Sequence, residues 1–368
     1  MGSVRPFIET DSSQVAHLHH RVFAPPRPFD DALEAAYRAY FSRELHNSSG
    51  ADASCPSLVF EEGGKITGFL AVVHRPMKFR GKAIRAAVSS QFVVDPASRG
   101  LAGVQIMKSF FEGPQDLSLT DEANDDSRRL WEAMGGATSF PLSGLWFMPL
   151  RPVTFGLEMT MAGQSGGRKV TRALLRPFTR IADQLAARLP KSPFRISPPA
   201  FLEEPLSAQG LIECRKFNRA SLLPCQEPEA IERLIARAAS LQQHGRLTGV
   251  LLKTRESQVA GCFLYYQKPG GLSEVVHIAS HPRFSKEAVD QLFAHAASNG
   301  VTAVTGRLSP HLLRPLSMAG CLLSPRANWM LVHSRDPEIG AAVCSGDAAL
   351  SALDGEWPLH FNYLGAAG

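Results

Sequence analysis

Residues 88–136, VSSQFVVDPASRGLAGVQIMKSFFEGPQDLSLTDEANDDSRRLWEAMGG, read as a strand, a turn, a helix, a second strand and a second helix. Gln91 to Val94 is β-branched and aromatic, which suits a buried strand, and Pro96 stops it because proline offers no ladder donor. Arg99-Gly100-Leu101-Ala102-Gly103 puts small residues where the chain turns into a helix. Ala102, Ile106 and Phe110 share one face of that helix, with Gly103 and Met107 beside them. Gly113-Pro114 ends it, Asp116 to Thr120 forms a short strand, and Asp125 to Met134 is helical before Gly135-Gly136. The chemistry on offer is anion binding. A helix start made of small residues exposes free N–H groups and the positive end of the helix dipole, so a pyrophosphate can come close.

Working outward, Val4 to Ile8 suits a first strand and Asp11 or Ser12 caps a helix to about Val22. A second helix covers Phe29 to Leu45, after the loop Ala24 to Pro28. Ser57 to Phe60 and Ile66 to Val73 form a hairpin around a glycine turn, and a turn near Phe79-Arg80-Gly81 leads into the strand that ends at Pro96. Thr138 to Met148 is read as closing this first domain.

That element order, with the 88–136 run inside it, resembles the GNAT acyltransferase superfamily. Val94-Asp95-Pro96 matches the family's Val-x-Pro-like strand end, and Arg99 fits the start of its Arg/Gln-x-x-Gly-x-Gly/Ala phosphate loop. Asn124, Ser127 and Trp131-Glu132-Ala133-Met134-Gly135-Gly136 stand where the family has a helix opening with Asn and closing in a Tyr-Glu-x-x-Gly-Phe-like step. Two departures bear on chemistry. Ala102 and Val104 occupy the two small-residue positions of the loop, with Gly103 between them, and Trp131 replaces the tyrosine that often serves as general acid. Indole cannot donate a proton in that role.

The remaining chain repeats the order. Residues 151–200 form a linker, with Gly163 to Gly167 followed by a basic segment. Residues 168–195 hold eight basic side chains and one acidic one, so this segment carries +7 of a chain total of +5 and the rest is −2. Basicity confined to one segment does not indicate a chain-wide nucleic-acid surface. Val170, Leu174, Phe178, Ile181, Leu185 and Leu189 share a helical face there. The segment reads as a connecting helix, and the sharper alternative is a basic amphipathic helix touching anionic lipid or an acidic partner. From 201 on, helices at Ser207–Arg219 and Glu227–Gln243 precede strands at Gly249–Thr254, Val259–Gln267 and Ser273–Ser280. A helix at Ser285–Ser298, a strand at Val301–Arg307, a helix at Ser309–Met318 and a strand at Trp329–His333 complete the copy. Ser280-His281-Pro282 takes the place of Val94-Asp95-Pro96, and Arg283 to Ala288 has no glycine, so side chains should block a pyrophosphate.

The resemblance therefore implies an α/β (α+β) chain of two tandem GNAT-like domains, each a mixed, mostly antiparallel central sheet flanked by helices. The expected division is 1–150 for an acyl-CoA-binding domain, 151–200 for the linker and 201–368 for a degenerate second domain. Such a pair resembles the tandem arrangement of Fem-like transferases and mycothiol synthase. It implies acetyl-CoA or another acyl-CoA as co-substrate, an amine of a small molecule or protein as acceptor, and no metal. Pantetheine would run along the backbone of Phe92, Val93 and Val94, and its arm would meet Asn124. The pyrophosphate would sit on the amides of Arg99, Gly100, Leu101, Ala102, Gly103 and Val104. Ser90 and Gln91, just before the key strand, are the candidates to hold a proton-accepting water. His360, in the tail Asp354 to Phe361, could reach a site between the domains. A non-catalytic protein that keeps the fold, and a Fem-like aminoacyl transferase, are the competing readings.

Composition narrows the rest. At 368 residues the chain suits two domains, and 44% hydrophobic with 20% charged residues is ordinary for a globular protein. No apolar run approaches the ~20 residues of a membrane span, and the N-terminus has no signal-peptide core, so the cytoplasm is the expected location. The six cysteines are scattered without a Cys-x-x-Cys pair, and His17-Leu18-His19-His20 spreads its rings around a helix as surface or partly packed histidines. No Gly-x-Ser-x-Gly elbow, P-loop or dinucleotide fingerprint is present.

Overall fold

Two mixed sheets organise the chain in the computed structural model, which describes residues 2–23, 28–46, 54–98, 100–161, 179, 182–183, 185, 196–324 and 328–361. They belong to two compact units, each assembled from separated stretches. Unit 1 gathers Met1–Ser143, Ala220–Gln243 and Asn328–Gly368, and unit 2 gathers Gly144–Arg219 and His244–Ala327.

In unit 1 the strands, numbered in chain order, are β1 (Ser3–Pro6), β2 (Leu58–Glu62), β3 (Lys65–Phe79), β4 (Lys82–Val94), β5 (Leu117–Ala123), β6 (Ala137–Thr138) and β15 (Trp329–Ser334). They lie in the order β1-β2-β3-β4-β5-β15-β6, with β9 (Leu222–Pro224) also paired to β3. All neighbours are antiparallel except β4 and β5. Alternation along β3 sends Phe69, Ala71 and Val73 to one face and Leu70 and Val72 to the other. The first face is covered by α1 (Ser12–Phe23) and α2 (Asp31–Phe41) through Val15, Leu18, Leu33, Tyr37 and Phe41. The second is covered by α3 (Leu101–Phe111) and α4 (Asp125–Ala133) through Ala102, Ile106, Phe110 and Trp131. The turns expected at Gly63-Gly64 and Arg80-Gly81 are present, each with both central residues at positive φ, the geometry that matches strand twist.

Unit 2 repeats this order. Its strands are β7 (Leu145–Pro149), β8 (Leu202–Pro205), β10 (Arg246–Lys253), β11 (Val259–Gln267), β12 (Leu272–Ser280), β13 (Ala303–Arg307) and β14 (Leu322–Ser324). The sheet runs β8-β10-β11-β12-β13-β7-β14, with β12 and β13 the parallel pair. The chain continues through α5 (Pro152–Met161), α6 (Ala208–Arg215), α7 (Pro228–Ala239), α8 (Ser285–Ser298), α9 (Leu313–Met318) and α10 (Pro337–Ser345), of which α7 and α10 lie in unit 1.

The contiguous division at 150 and 201 is replaced by an exchange of strands. β7, expected to close the first domain, pairs with β13 in unit 2, and β15, expected to close the second, pairs with β5 in unit 1. Both exchanged strands are fixed by particular contacts. Trp146 on β7 is fully buried, donates Nε1–H to the Arg307 carbonyl at 3.1 Å and accepts from Thr305 Oγ1 at its own carbonyl, 2.8 Å. Its ring lies on Gly306, where a Cβ would come within 2.8 Å of the indole. On β15, Met330 N–H donates to Ser143 Oγ at 2.9 Å and Trp329 Nε1–H to Asp125 at 2.7 Å. Periodicity locates a strand but carries no information about which of two like sheets receives it. Most of 168–195, and the Gly163–Gly167 stretch, lie outside the described residues.

Candidate active site

The site in unit 1 follows from how β4 and β5 part. They pair over only three residues, Ala86 with Leu117, Ala87 with Ser118 and Val88 with Leu119. Beyond these pairs the two strands share no ladder among the described residues, although β4 continues to Val94 and β5 to Ala123. A bulge helps turn β4 away. Phe69 opposes Val93 and Ala71 opposes Ser90, so Gln91 and Phe92 together face Leu70. Gln91 carries the extra residue's strain, with φ at +52°, a region a side chain rarely adopts.

The opening holds a cavity of about 210 Å³, lined on the β4 side by Ser89, Ser90, Gln91 and Phe92 and on the β5 side by Thr120 and Glu122. Leu70, Met107 and Trp131 are among its apolar walls. The start of α3 stands against the same wall, since a Cβ at Gly103 would lie 3.6 Å from the Phe92 ring. Gly100 caps this helix at φ +103°, in open space, and the first backbone donor to return to it is Val104 N–H, at 3.0 Å. The amides of Leu101, Ala102 and Gly103 therefore stand ahead of the helix's own acceptors.

β5 has its own bulge. Trp329 opposes Ala123 and Leu331 opposes Thr120, which leaves an extra residue on β5 between them. The N–H groups of Asp121 and Glu122 both point to one acceptor, Oε1 of Glu356, at 3.0 and 3.1 Å, and Thr120 Oγ1 donates to the same oxygen. Asp121 Oδ1 in turn accepts from Glu356 N–H at 2.8 Å. A carboxylate from near the end of the chain thus satisfies buried donors that a regular ladder would have used. Burial, then the charges of Asp121 and Glu122, push the Glu356 carboxyl up to about 7.

Glu356 arrives with a segment pinned by many bonds. Arg237 on α7 donates Nε–H to the Pro358 carbonyl at 2.7 Å and Nη2–H to the His360 carbonyl at 2.9 Å. Tyr40 Oη–H donates to the Leu359 carbonyl, and Phe361 stacks on Tyr37 at 4.2 Å between centroids. Gln91 Nε2 also reaches the Leu359 carbonyl, at 3.4 Å, while its Oε1 meets Nε2 of His19 on α1. With Nε2 donating to Gln91, His19 Nδ1 accepts from Tyr37 Oη–H at 2.8 Å. Burial holds the His19 ring down at about 4, so it is neutral at pH 7 and fixes the strained bulge. His360 lies in the cavity wall, its Nε2 2.7 Å from Glu122 Oε2. Burial opposes its protonation, but the Glu122 hydrogen bond and the charges of Glu122, Glu356 and Asp121 outweigh this and raise its pKa.

The residues singled out from sequence divide by position. Ser90, Gln91, Phe92 and Asn124 line the cavity. Val93 is buried on the opposite face among the α1 and α2 contacts, and Val94 packs beside the α3 face, so these two can offer backbone only. Gly100, Leu101 and Val104 are exposed at the helix start, Ala102 is buried beneath it, and Arg99 lies outside the described residues. Asn124 caps α4, its Oδ1 accepting from Ser127 N–H at 2.9 Å, which leaves its amide nitrogen for the cavity. Trp131 is buried against Phe110 and Phe111 and serves as wall. His19 is a buried, bonded member of the site and not the surface or partly packed histidine expected from its cluster. Glu122 and Glu356 carried no sequence signal, because their meeting depends on a contact 234 residues apart. Among the described residues no group of three or more His, Cys, Asp and Glu side chains is placed to hold a metal ion.

Unit 2 has the same parting without the same helix start. β12 pairs with β13 from Leu272–Ala303 to Val275–Gly306 only, and β12 is bulged opposite Leu264–Tyr265. The turn after β12 runs from Pro282–Phe284 directly into α8 at Ser285, with Phe284 as its cap, whereas the open Gly100 caps α3 in unit 1.

No family model matches the sequence, and no curated protein matches it. Solved structures do. A probable N-acyltransferase of Enterococcus faecalis V583 superposes with a TM-score of 0.59 at 11% identity, over 91% of this chain and 73% of its own. A GCN5-related N-acetyltransferase from Anabaena variabilis ATCC 29413 gives 0.57 at 13% identity, over 90% and 72%. Saccharomyces cerevisiae N-myristoyltransferase with bound myristoyl-CoA gives 0.51 at 11% identity, over 90% and 79%. Two sheets that each part, among the described residues, at a parallel pair, matched to these structures over nine-tenths of the chain, give it the fold of the GNAT superfamily in tandem.

Proposed function

We propose that unit 1 is an acyl-CoA-dependent N-acyltransferase in which the acceptor amine attacks the thioester directly. The observation that carries this reading is the gap between β4 and β5 beside an open, glycine-capped helix start. A parted strand leaves a row of backbone donors and acceptors along Ser89 to Val94, and an amide-rich chain such as pantetheine completes such an edge as a strand would. The amides of Leu101 to Gly103 suit the pyrophosphate, and the bare Gly100 allows close approach. β4 N–H groups at the bulge are the donors available to a carbonyl oxygen as charge develops on it. Asn124 and Ser127, at the start of α4, line the same cavity on the β5 side.

Acyl transfer from a thioester needs alignment more than covalent help. A thiol leaves with a pKa of about 8.5, so departure as thiolate is tolerable near neutral pH. The wall role of Trp131 therefore removes the acid that the family pattern suggests without removing the reaction. Resemblance to both an N-acetyltransferase and an N-myristoyltransferase supports the acyl-CoA class. Titration calorimetry with acetyl-CoA and myristoyl-CoA is the test. Binding tighter than millimolar for at least one, lost in Gly100→Glu, is expected; no binding of either would overturn the reading in favour of a scaffold that keeps the fold.

A further inference from the structure

We propose that His360, oriented by Glu122, is the general base of unit 1, supplied to the parted strands by the segment that follows β15. The inference rests on the acyl-transfer reading above. Three observations carry it. His360 and Glu122 both line the cavity between β4 and β5, together with Ser90 and Phe92. Their side chains are joined at 2.7 Å while remaining partly exposed, 23% for the imidazole and 18% for the carboxylate. The backbone that presents the ring is held on both sides, by Arg237 at the Pro358 and His360 carbonyls and by Tyr40 and Gln91 at the Leu359 carbonyl. The imidazole lies 5.0 Å from the Trp357 ring at the cavity wall, whereas the neighbouring Leu359 and Phe361 are core residues.

The geometry fixes the tautomer. Glu122 takes the Nε2 proton, so in the neutral ring the lone pair is on Nδ1. Asp121 and Glu122 on β5 and Glu356 on the tail make the surroundings acidic, and the Arg237 guanidinium on α7 is engaged with backbone carbonyls and with Glu44. An acceptor that arrives as an ammonium ion is attracted to this setting. Nδ1 removes one ammonium proton, and the freed nitrogen lone pair forms the N–C bond to the thioester carbonyl. As the tetrahedral adduct collapses, the C–S bond breaks and its electron pair leaves with sulfur. The second proton lost from nitrogen goes to that sulfur, and the first is released from His360 to solvent. The sum is an ammonium and an acyl-CoA converted to an amide, a thiol and one proton.

The experiment has two parts on the full chain. Histidine ¹⁵N NMR should show His360 protonated on Nε2 when neutral, with a midpoint above the ordinary histidine value that falls in Glu122→Gln. A midpoint below the ordinary value, or one indifferent to Glu122→Gln, overturns the assignment. Thiol release from acetyl-CoA and myristoyl-CoA is then followed from pH 5.5 to 9 with spermidine, ethanolamine and a lysine peptide as amines. His360→Gln should lower kcat by about a hundredfold, the general-base range, with acyl-CoA affinity within twofold of the wild type. Glu122→Gln should shift the acidic limb of the profile to lower pH. Wild-type turnover in His360→Gln would overturn the role of the histidine and leave acyl transfer standing. Failure of the unaltered protein to bind either acyl-CoA would overturn both readings.

Discussion

Glu356→Gln should leave stability nearly unchanged at pH 5 and raise it at pH 8. The native carboxyl is pushed up to about 7 from 4.5, by burial first and then by Asp121 and Glu122. A carboxyl raised in the folded state binds more protons there than in the unfolded chain between those two values. Its contribution is therefore fully present below about 4.5 and is lost as pH rises through about 7. At ~1.36 kcal/mol per pKa unit, the loss across that window is at most ~3 kcal/mol. Gln keeps an Oε1 acceptor for Thr120 Oγ1 and for the N–H groups of Asp121 and Glu122, but it carries no charge to bury. The variant should match the wild type to within ~1 kcal/mol at pH 5 and exceed it by ~1–3 kcal/mol at pH 8. Urea denaturation of the full chain followed by tryptophan fluorescence measures this, read on the transition that reports Trp329 and Trp357 in unit 1. An equal loss of stability at both pH values would refute the reasoning, because it would mean that Glu356 acts through hydrogen bonds alone.

Two other substitutions probe how the site and the exchanged strand are built. Gly355→Ala places a Cβ 1.8 Å from Asp121 Oδ2, a group already bonded to Glu356 N–H, so unit 1 should lose ~2–4 kcal/mol; a change below ~0.5 kcal/mol in urea melts would contradict the close packing. Gly306→Ala sets a methyl group 2.8 Å from the Trp146 indole and should cost unit 2 ~1–3 kcal/mol, with much of that recovered in the Gly306→Ala, Trp146→Phe double variant. Additive losses in that cycle would argue against β7 lying on β13.

Much of this arrangement is legible before folding, and its gaps have physical causes. Pro96, Gly113-Pro114 and Gly135-Gly136 punctuate the chain where the elements end, and the alternation in β3 and the spacing in α3 read as they fold. The repeat of element order in the second half is visible for the same reason. Strand exchange is not, because Leu145–Pro149 and Trp329–Ser334 would satisfy either sheet locally, and only contacts such as Trp146 on Gly306 decide between them. Ser90, Gln91, Phe92 and Asn124 can be picked out because they sit beside a recognisable turn. His19, Glu122 and Glu356 cannot, since a buried imidazole beside Tyr37 and a carboxylate serving a β5 bulge are properties of long-range meeting. Gln91 was legible as a polar residue near the key strand; its positive φ and its bonds to His19 and the Leu359 carbonyl are tertiary facts.

The central claim is that the parted β4–β5 edge of unit 1 receives an acyl-CoA, and hydrogen exchange with and without a saturating acyl-CoA tests it most directly. The account predicts added protection at the amides of Ser89 to Val94, Leu101 to Gly103 and Asn124, with Arg283 to Ala288 of unit 2 unchanged. Protection confined to unit 2, or none at Ser89 to Gly103 while the ligand is bound, would contradict it.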